Sequence, residues 1–328
     1  MKAWIIEQLD GIEKARLTDV ADPVPAAGEV VLRLTYAALN PADRYLAEGQ
    51  YPAKPPLPHI LGRDGSGVIA GAGPGVKDHA IGQKRAILRG DMGVSRWGTF
   101  AELVAVPAES LIEIPNGWTD EQAGSASLVY VMAFQALTQW EDLPAQSVVL
   151  VSGASGGVGV ASTQLGIAMG HTLIGLSRGS EKHETLRSLG MALVLDPTHP
   201  QWRKTLAAFL GKRKVELAID SVGGTLFSQL IATLGDRGRI SVVGRLAGEV
   251  PQFNTASLFF RRLRIGGVAV AAYTNPESHH AWKKSLDLLN KTGARPLIDH
   301  VFPFEELPAA FNRLARGPMG KVLIRCTV

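Results

Sequence analysis

A glycine-rich turn in the middle of the chain is the clearest candidate for a ligand site. It reads SGASGGVG over residues 152–159, and from Ala154 it has the spacing G-x-G-x-x-G with Ala in place of the first Gly. In such a turn Gly156 lets the backbone approach a pyrophosphate, and Gly159 lets the following helix pack close to the preceding strand. The N–H groups of that helix then point at the phosphates. The turn predicts a dinucleotide site formed by Ala154, Ser155, Gly156, Gly157, Val158 and Gly159.

The residues after the next predicted strand distinguish the two nicotinamide cofactors. An NAD site places Asp or Glu about 20 residues beyond the glycines, where it accepts a hydrogen bond from the ribose 2′-hydroxyl. This chain has Ser177 and Arg178 there, and Lys182 follows shortly after. Because a hydroxyl and two cations suit a 2′-phosphate, the sequence favours NADP(H) over NAD(H). The alternative is a solvated loop with ordinary charges.

Strand and helix patterns on both sides of the turn predict two kinds of domain. SVVLVSG (147–153) is typical of a buried strand and GGVGVASTQLGIAMG (156–170) of a helix, and further strands and helices alternate after them. Repeated units of this size predict an α/β fold with a doubly wound parallel sheet, the Rossmann arrangement. The residues before AGSASLVYVMAFQAL (123–137), itself a predicted helix, contain short strand-like runs interrupted by Gly and Pro. These runs predict a strand-rich, barrel-like unit.

Composition and charge exclude several classes of protein. The chain has 328 residues, 46% of them apolar and 36 of them glycine, which suits two globular domains. The single Cys326 excludes a disulfide framework and a cysteine-rich zinc site, and it favours a reducing, cytoplasmic location. No charge-free apolar run reaches the roughly 18 residues that a membrane helix needs. A net charge of +4, spread along the chain, argues against a nucleic-acid partner.

Several stretches, taken in order, resemble the medium-chain dehydrogenase/reductase superfamily. They are AALNPADRYLAEGQYP (37–52), LGRDGSGVIAGAGPGV (61–76), GTFAELVAV (98–106), SGASGGVG (152–159), AIDSVGG (218–224) and GKVLIR (320–325). The chain is most similar to the zinc-independent quinone oxidoreductase branch, which includes the zeta-crystallin-like NADPH quinone reductases. This resemblance implies a GroES-like, β-barrel-type substrate domain at 1–122 and a Rossmann NADP-binding domain at 123–272. A carboxy-terminal segment at 273–328 would complete the first domain.

The resemblance also implies that the chain binds no metal. Zinc members of the superfamily carry Cys where this chain has Asn40, and Gly-His-Glu where it has Gly62, Arg63 and Asp64. Tetrahedral zinc would therefore lack its thiolate and imidazole ligands at these positions. His59 lies nearby in the sequence, and we expect it to be a packing or surface residue.

Four residues of NPADRYLAEGQY (40–51) are the candidate catalytic residues that the resemblance implies: Asn40, Asp43, Tyr45 and Tyr51. Asn40 is expected to bond the cofactor or a substrate carbonyl, and the two phenols to donate to an enolate or a quinone oxygen. The alternative for Asp43 is a capping carboxylate or an ion pair with Arg63. For the two tyrosines the alternative is half-buried packing.

Further along the chain, the resemblance implies cofactor contacts at Val222, Val243, Gly244 and Arg316. The alternative for Arg316 is an ordinary cation at the end of a helix. Met132 stands where the family often has Thr, so a hydrogen bond from that hydroxyl is lost. Trp97 is either a residue that narrows the pocket or a core tryptophan.

Three functional hypotheses follow from these features. The first is an NADPH-dependent, zinc-free oxidoreductase that transfers hydride to a small-molecule quinone or α,β-unsaturated carbonyl compound. The second is an NADPH-binding sensor or structural protein with little catalysis. The third, a short-chain dehydrogenase, needs a Tyr-x-x-x-Lys pair after the turn, and no Tyr there has Lys four residues later. A homodimer joined through LRIGGVAVAAY (263–273) is the family expectation.

Overall fold

A computed structural model describes residues 1–89, 91–249 and 254–326. The strands within these ranges are β1 (Lys2–Ile6), β2 (Arg16–Asp19), β3 (Glu29–Ala38), β4 (His59–Ile60), β5 (Asp64–Ala72), β6 (Lys84–Ile87), β7 (Leu103–Pro107), β8 (Leu111–Glu113), β9 (Val148–Ser152), β10 (Thr172–Leu176), β11 (Leu193–Leu195), β12 (Val215–Asp220), β13 (Leu234–Val242), β14 (Arg264–Gly267), β15 (Ile298–Pro303) and β16 (Lys321–Arg325). The α-helices are α1 (Pro41–Ala47), α2 (Asp120–Thr138), α3 (Gly157–Ala168), α4 (His183–Ser188), α5 (Trp202–Leu210), α6 (Gly224–Thr233), α7 (Ala256–Phe260), α8 (Asn275–Thr292) and α9 (Leu307–Ala315). None of the helices in these ranges is long and apolar enough to cross a membrane.

The chain divides into two compact units. The first consists of Met1–Leu128, Thr274–His279 and Arg295–Val328, and the second of Val129–Tyr273 and His280–Ala294. The predicted carboxy-terminal segment, 273–328, is thus split between the units. Within the second unit, the hydroxyl of Ser285 on α8 contacts the backbone oxygen of Tyr130 at 3.5 Å, so most of this helix packs there.

The first unit is rich in strands, as predicted. Most of its strand pairs are antiparallel, and β15 pairs parallel with β16. Its larger sheet has the order β15-β16-β3-β5-β6-β8, with β7 paired to β3, and its smaller sheet has the order β2-β1-β4. The last strand, β16, pairs antiparallel with β3, and the Leu39 N–H donates to the Val322 oxygen at 3.0 Å. This pairing brings the two residues that flank it, Asn40 and Lys321, together at one end of the sheet.

The second unit contains the predicted doubly wound sheet. Six parallel strands have the order β11-β10-β9-β12-β13-β14, which is 3-2-1-4-5-6 in the order of the chain. All five residues of β9, VVLVS, are buried, as expected for a strand covered on both faces. The Rossmann arrangement is confirmed, and its carboxyl edge is where the sequence places a dinucleotide.

Candidate active site

The glycine turn leaves β9 and enters α3 as the sequence predicts. Gly153 has a φ of +61°, so the tight turn is made there, one residue before Ala154, which was expected to stand in the place of the first glycine. A Cβ built on Gly159 would lie 2.4 Å from the Gly153 oxygen, whereas one on Gly156 would meet that oxygen only at 3.5 Å. Gly159 is therefore needed for packing. Gly156 borders open space at the amino end of α3, where an anionic group can bind.

The predicted 2′-phosphate residues lie beside this turn. Strand β10 is the parallel neighbour of β9, and the Ala154 N–H donates to the Leu176 oxygen at 3.0 Å. Ser177 is buried, while Arg178 is exposed. Among the residues that the structure describes, no hydrogen-bond or ion-pair partner contacts the Arg178 guanidinium. Lys182 is half-buried in a short 3₁₀ turn after Gly179. The carboxyl end of β10 thus presents an uncompensated cation, the Arg178 guanidinium, which no carboxylate of the described residues neutralises.

Asp220, at the end of β12, is a site residue that the sequence reasoning missed. It is fully buried, and its Oδ1 accepts hydrogen bonds from the Ser152 hydroxyl at 2.6 Å and the Val222 N–H at 3.0 Å. The Gly223 N–H donates to Oδ2 at 3.1 Å. The carboxylate therefore ties the turn after β9 to the turn after β12. A single Asp that ends the apolar strand VELAID and precedes two glycines is the signal that could have found it.

The turn after β13 lies at the same edge. The Val243 N–H donates to the backbone carbonyl oxygen of Asp220 at 2.8 Å, and a Cβ on Gly244 would lie 2.9 Å from the backbone oxygen of Ser221. The structure thus brings Val222, Val243 and Gly244 to the carboxyl edge that carries the glycine turn. Their contacts with a cofactor stay predictions.

A buried polar cluster in the first unit contains the predicted residue Asn40. The Asn40 side-chain N–H donates to Asp64 Oδ2 at 2.9 Å, and the Lys321 ammonium donates to Asn40 Oδ1 at 2.7 Å and to Asp64 Oδ2 at 3.1 Å. All three side chains are at most 6% exposed. The Asn40 amide is therefore already used as donor and acceptor, and its predicted bond to cofactor or substrate would have to compete with these contacts.

Asp43 lies next to this cluster and is completely buried. One of its oxygens accepts the Asn40 backbone N–H at 2.9 Å, and the other lies 3.3 Å from Arg63 Nε. Burial raises the pKa of Asp43 to about 6, although the nearby Arg63 cation opposes the shift. The capping and ion-pair alternatives for Asp43 both describe its contacts. Arg63 also donates to the Tyr51 oxygen at 3.1 Å.

The remaining predicted residues differ in how far they are buried. Tyr45 is half-buried on α1, and Met132 is half-buried on α2 in the second unit. Arg316 is exposed after α9 in the first unit, so the helix-end alternative describes its local position. Trp97 is 39% exposed and donates to the Pro58 oxygen at 3.3 Å, which excludes a core role. His59 is buried in β4, in agreement with a packing residue.

Two protein-family models match the chain. The alcohol dehydrogenase GroES-like domain matches residues 26–116, and the zinc-binding dehydrogenase family matches residues 157–301. Among curated proteins, the chain is 27% identical to the synaptic vesicle membrane protein VAT-1 homolog of Homo sapiens, over 99% of this chain and 86% of that protein. It is 25% identical to the quinone oxidoreductase of Homo sapiens, over 99% and 97%. It is 26% identical to the acryloyl-coenzyme A reductase of Sulfurisphaera tokodaii, over 94% and 96%.

Solved structures share the whole fold. A structure described as an NAD-dependent alcohol dehydrogenase aligns with a TM-score of 0.87 at 27% identity and covers 99% of each chain. The mycobacterial protein Rv1454c, solved in complex with NADPH, aligns with a TM-score of 0.89 at 25% identity, again over 99% of each chain. Both units of this chain therefore have the architecture of nicotinamide-dependent dehydrogenases.

One matching family is described as a zinc-binding dehydrogenase, so the residues of the buried cluster are compared with those that hold zinc in proteins. Protein zinc sites are built from Cys, His, Asp and Glu side chains. In residues 1–89, 91–249 and 254–326, no three such side chains are grouped in a way that could hold a metal ion. At the expected positions, Asn40 and Asp64 share the Lys321 ammonium, and Arg63 pairs with Asp43. These residues do not fit zinc, because the Lys321 ammonium already contacts the two that stand at the ligand positions, Asn40 and Asp64.

Proposed function

The chain belongs to the medium-chain dehydrogenase/reductase superfamily, in its quinone oxidoreductase branch, and on that basis we propose that it is an NADP(H)-dependent oxidoreductase that reduces a quinone or an α,β-unsaturated carbonyl compound. The observation that carries the proposal is the uncompensated Arg178 at the end of β10, beside the glycine turn. In the first unit the Lys321 ammonium contacts both Asn40 and Asp64, and the poor fit of these residues to zinc supports the choice of acceptor.

The proposed cofactor follows from charge at the carboxyl edge of the sheet. A 2′-phosphate is dianionic or nearly so, and a guanidinium without another partner binds it through charge-assisted hydrogen bonds. Ser177 and Lys182 would add a hydroxyl and a second cation. The NADPH complex of Rv1454c supports this choice, whereas the NAD-dependent alcohol dehydrogenase marks the competing one. Arg316, Val222, Val243 and Gly244 belong to the proposal as further cofactor contacts.

We expect Arg178→Ala to weaken NADPH binding about tenfold or more and to leave NADH binding nearly unchanged, since a hydrogen bond to a charged group contributes about 1.5–3 kcal/mol. Arg187→Ala is the matched control, because Arg187 is an exposed cation on the next helix, α4. Calorimetric titration of the wild type and both variants with each nucleotide measures the six dissociation constants. Equal losses for NADPH and NADH would show that Arg178 does not contact a 2′-phosphate.

The proposed acceptors are compounds that take hydride without help from a metal. Quinones and the β-carbons of enones are already electrophilic, so the protein has to orient them and stabilise a developing oxyanion. NADPH, when bound, supplies the hydride. Tyr45 and Tyr51 carry the phenolic donors proposed to face the acceptor oxygen. The names of two relatives, a quinone oxidoreductase and an acryloyl-coenzyme A reductase, support this acceptor class.

The proposal is tested by the loss of NADPH absorbance with a panel of small quinones and enones. We expect turnover with at least one quinone or enone of the panel and higher kcat/KM with NADPH than with NADH. Tight NADPH binding without turnover of any acceptor would contradict the enzyme and favour the alternative, a sensor or structural protein that binds NADPH.

The proposed assembly is a homodimer. Strand β14 is the edge of the parallel sheet, and a Cβ built on Gly267 would meet no other atom within 4 Å. An open edge of this kind can pair with a second copy across a two-fold axis. Sedimentation equilibrium should give twice the mass of the chain, and a monomer mass would remove this proposal. The cytoplasmic location stays a prediction from the single cysteine.

A further inference from the structure

Arg63, in the first unit, contacts both Asp43 and Tyr51. It stands at the position where zinc members of the superfamily keep a histidine, and its side chain is 12% exposed. Its guanidinium donates to the Tyr51 oxygen at 3.1 Å and to the Ala42 oxygen at 3.4 Å, and it lies 3.3 Å from Asp43 Oδ1. The guanidinium carbon is also 4.5 Å from the centroid of the Tyr51 ring. Arg63 therefore holds Tyr51 by its oxygen and by its ring face.

The direction of the bond between Arg63 and Tyr51 is fixed by chemistry. A guanidinium has only donors, so the phenolic oxygen must accept, and the hydrogen of the Tyr51 hydroxyl is not used in this bond. Within the part of the chain that the structure describes, this hydroxyl donates to no other group. The Tyr51 hydrogen is therefore available for an acceptor that is not part of the protein.

Asp43 contacts a different nitrogen of the guanidinium, Nε, while Nη1 contacts Tyr51. One carboxylate oxygen contacts Arg63 and the other accepts the Asn40 backbone N–H, so the carboxylate is held by α1 itself. Asp43 and Arg63 are both shielded from water, which strengthens their attraction and limits the positions that Arg63 can adopt. The chain of contacts from Asp43 through Arg63 to Tyr51 is continuous.

We propose that Arg63 is a positioning residue that fixes Tyr51 and leaves its hydroxyl hydrogen to be donated to the substrate oxygen. The proposal rests on the proposed function. Hydride addition at the β-carbon of an enone forms a C–H bond and moves the π electrons of the C=C bond onto the carbonyl oxygen. The Tyr51 O–H bond breaks, its proton goes to that oxygen, and the phenolate left behind faces the Arg63 cation. The enol then takes a proton from solvent at its α-carbon and gives up its hydroxyl proton, which returns through water to the Tyr51 phenolate.

The contact with Asp43 makes this arrangement sensitive to pH. Asp43 is packed against Arg63, Asp64, Lys321 and the backbone N–H of Asn40, and burial raises its pKa to about 6. Below that pH the Asp43 carboxyl is protonated and no longer attracts the Arg63 cation. Arg63 is then less firmly held, and so is Tyr51. We expect kcat to fall as the pH drops through 6 in the wild type, and this acid limb to flatten when Arg63 is replaced.

Four variants test the role of Arg63. Arg63→Met removes the cation, and Arg63→Lys keeps a charge for Asp43 but loses the planar fork. Tyr51→Phe removes the donor. Arg44→Met is the control, because Arg44 is an exposed cation on α1 whose ion pair with Glu48 involves neither Arg63 nor Tyr51. We expect both Arg63 variants to lower kcat about 10–100-fold with KM for NADPH unchanged within about twofold, since misplacement of a reacting group costs rate. Arg44→Met should stay within about twofold of wild type.

The double variants decide whether Arg63 acts through Tyr51. In the Tyr51→Phe background we expect Arg63→Lys to cause no further loss of kcat, because residues that act as a unit are not additive. A loss as large as in the wild type would overturn the proposal. If Arg63→Met fails to fold, Arg63→Lys alone is sufficient for these comparisons.

A measurement without turnover separates this proposal from the proposed function. In protein labelled with ¹³Cζ-tyrosine, the Tyr51 resonance is assigned by its absence in Tyr51→Phe. We expect it to shift in Arg63→Lys and to stay unchanged in Arg44→Met, even if the protein reduces none of the acceptors. An unchanged resonance would overturn the contact between Arg63 and Tyr51 whatever the protein catalyses.

Discussion

Replacement of Lys321 by methionine is expected to lower the free energy of unfolding of the first unit by about 3–5 kcal/mol, the cost of breaking a buried ion pair by removing one partner. The Lys321 ammonium lies 3.1 Å from Asp64 and 2.7 Å from the Asn40 amide oxygen. Without it, the buried Asp64 carboxylate keeps only the Asn40 N–H as a donor. Urea denaturation, followed by tryptophan fluorescence, measures the change.

Lys84→Met is the matched control for this prediction. Lys84 makes an ion pair of similar length with Asp120 in the same unit, at 2.7 Å, but its side chain is 60% exposed. Such a pair contributes about 0–1 kcal/mol. A second variant, Asp64→Asn with Lys321→Met, removes both charges and should regain part of the loss. If Lys321→Met and Lys84→Met destabilise equally, the ammonium is not the buried partner of Asp64.

Gly156→Ala is expected to abolish most NADPH binding without disturbing the fold. Gly156 has φ −75° and ψ 171°, an extended conformation that alanine adopts, and its Cβ would meet only the Gly153 oxygen at 3.5 Å. The new methyl group would occupy the space where the backbone approaches the pyrophosphate. Since hydrogen bonds to charged groups contribute about 1.5–3 kcal/mol each, we expect the dissociation constant to rise about 10–100-fold.

Gly159→Ala distinguishes the two roles of glycine in the turn. Its Cβ would lie 2.4 Å from the Gly153 oxygen and 2.5 Å from the Ala154 oxygen, both of them backbone atoms that can move only if α3 moves. We therefore expect loss of NADPH binding together with a destabilisation of about 1–3 kcal/mol. Thermal unfolding and calorimetric titration of both variants measure these effects. An NADPH affinity unchanged in Gly156→Ala would place the pyrophosphate elsewhere.

The second unit was largely predictable because its signals are local. The apolar run of β9 and the glycine spacing before α3 lie within one β-α unit, and the helix predicted at 123–137 is found as Asp120–Thr138. Helix α5 was not among the predicted helices, because only Trp202 and Leu206 of its nine residues are buried and its apolar stripe is narrow. Asp220 was missed because its partner Ser152 is 68 residues away in the sequence.

The cluster in the first unit could be predicted only in part. The segment at 40–51 contributes Asn40, Asp43 and Tyr51, but their partners come from elsewhere in the chain. Lys321 contacts Asn40 from 281 residues away, and this contact exists only because β16 pairs with β3. No spacing within either segment carries that information. The sequence also suggested an ion pair between Arg63 and Asp43, but it gave no indication that Arg63 contacts Tyr51 as well.

The fate of the hydride decides whether the protein is an NADPH-dependent reductase of enones. The protein is given NADPH carrying deuterium at both C4 positions and a small enone, and the reduced product is analysed by mass spectrometry and NMR. We expect one deuterium at the β-carbon, a hydrogen from water at the α-carbon, and a kcat/KM with NADPH well above that with NADH. Product without deuterium, or transfer that is faster with NADH, would contradict this function.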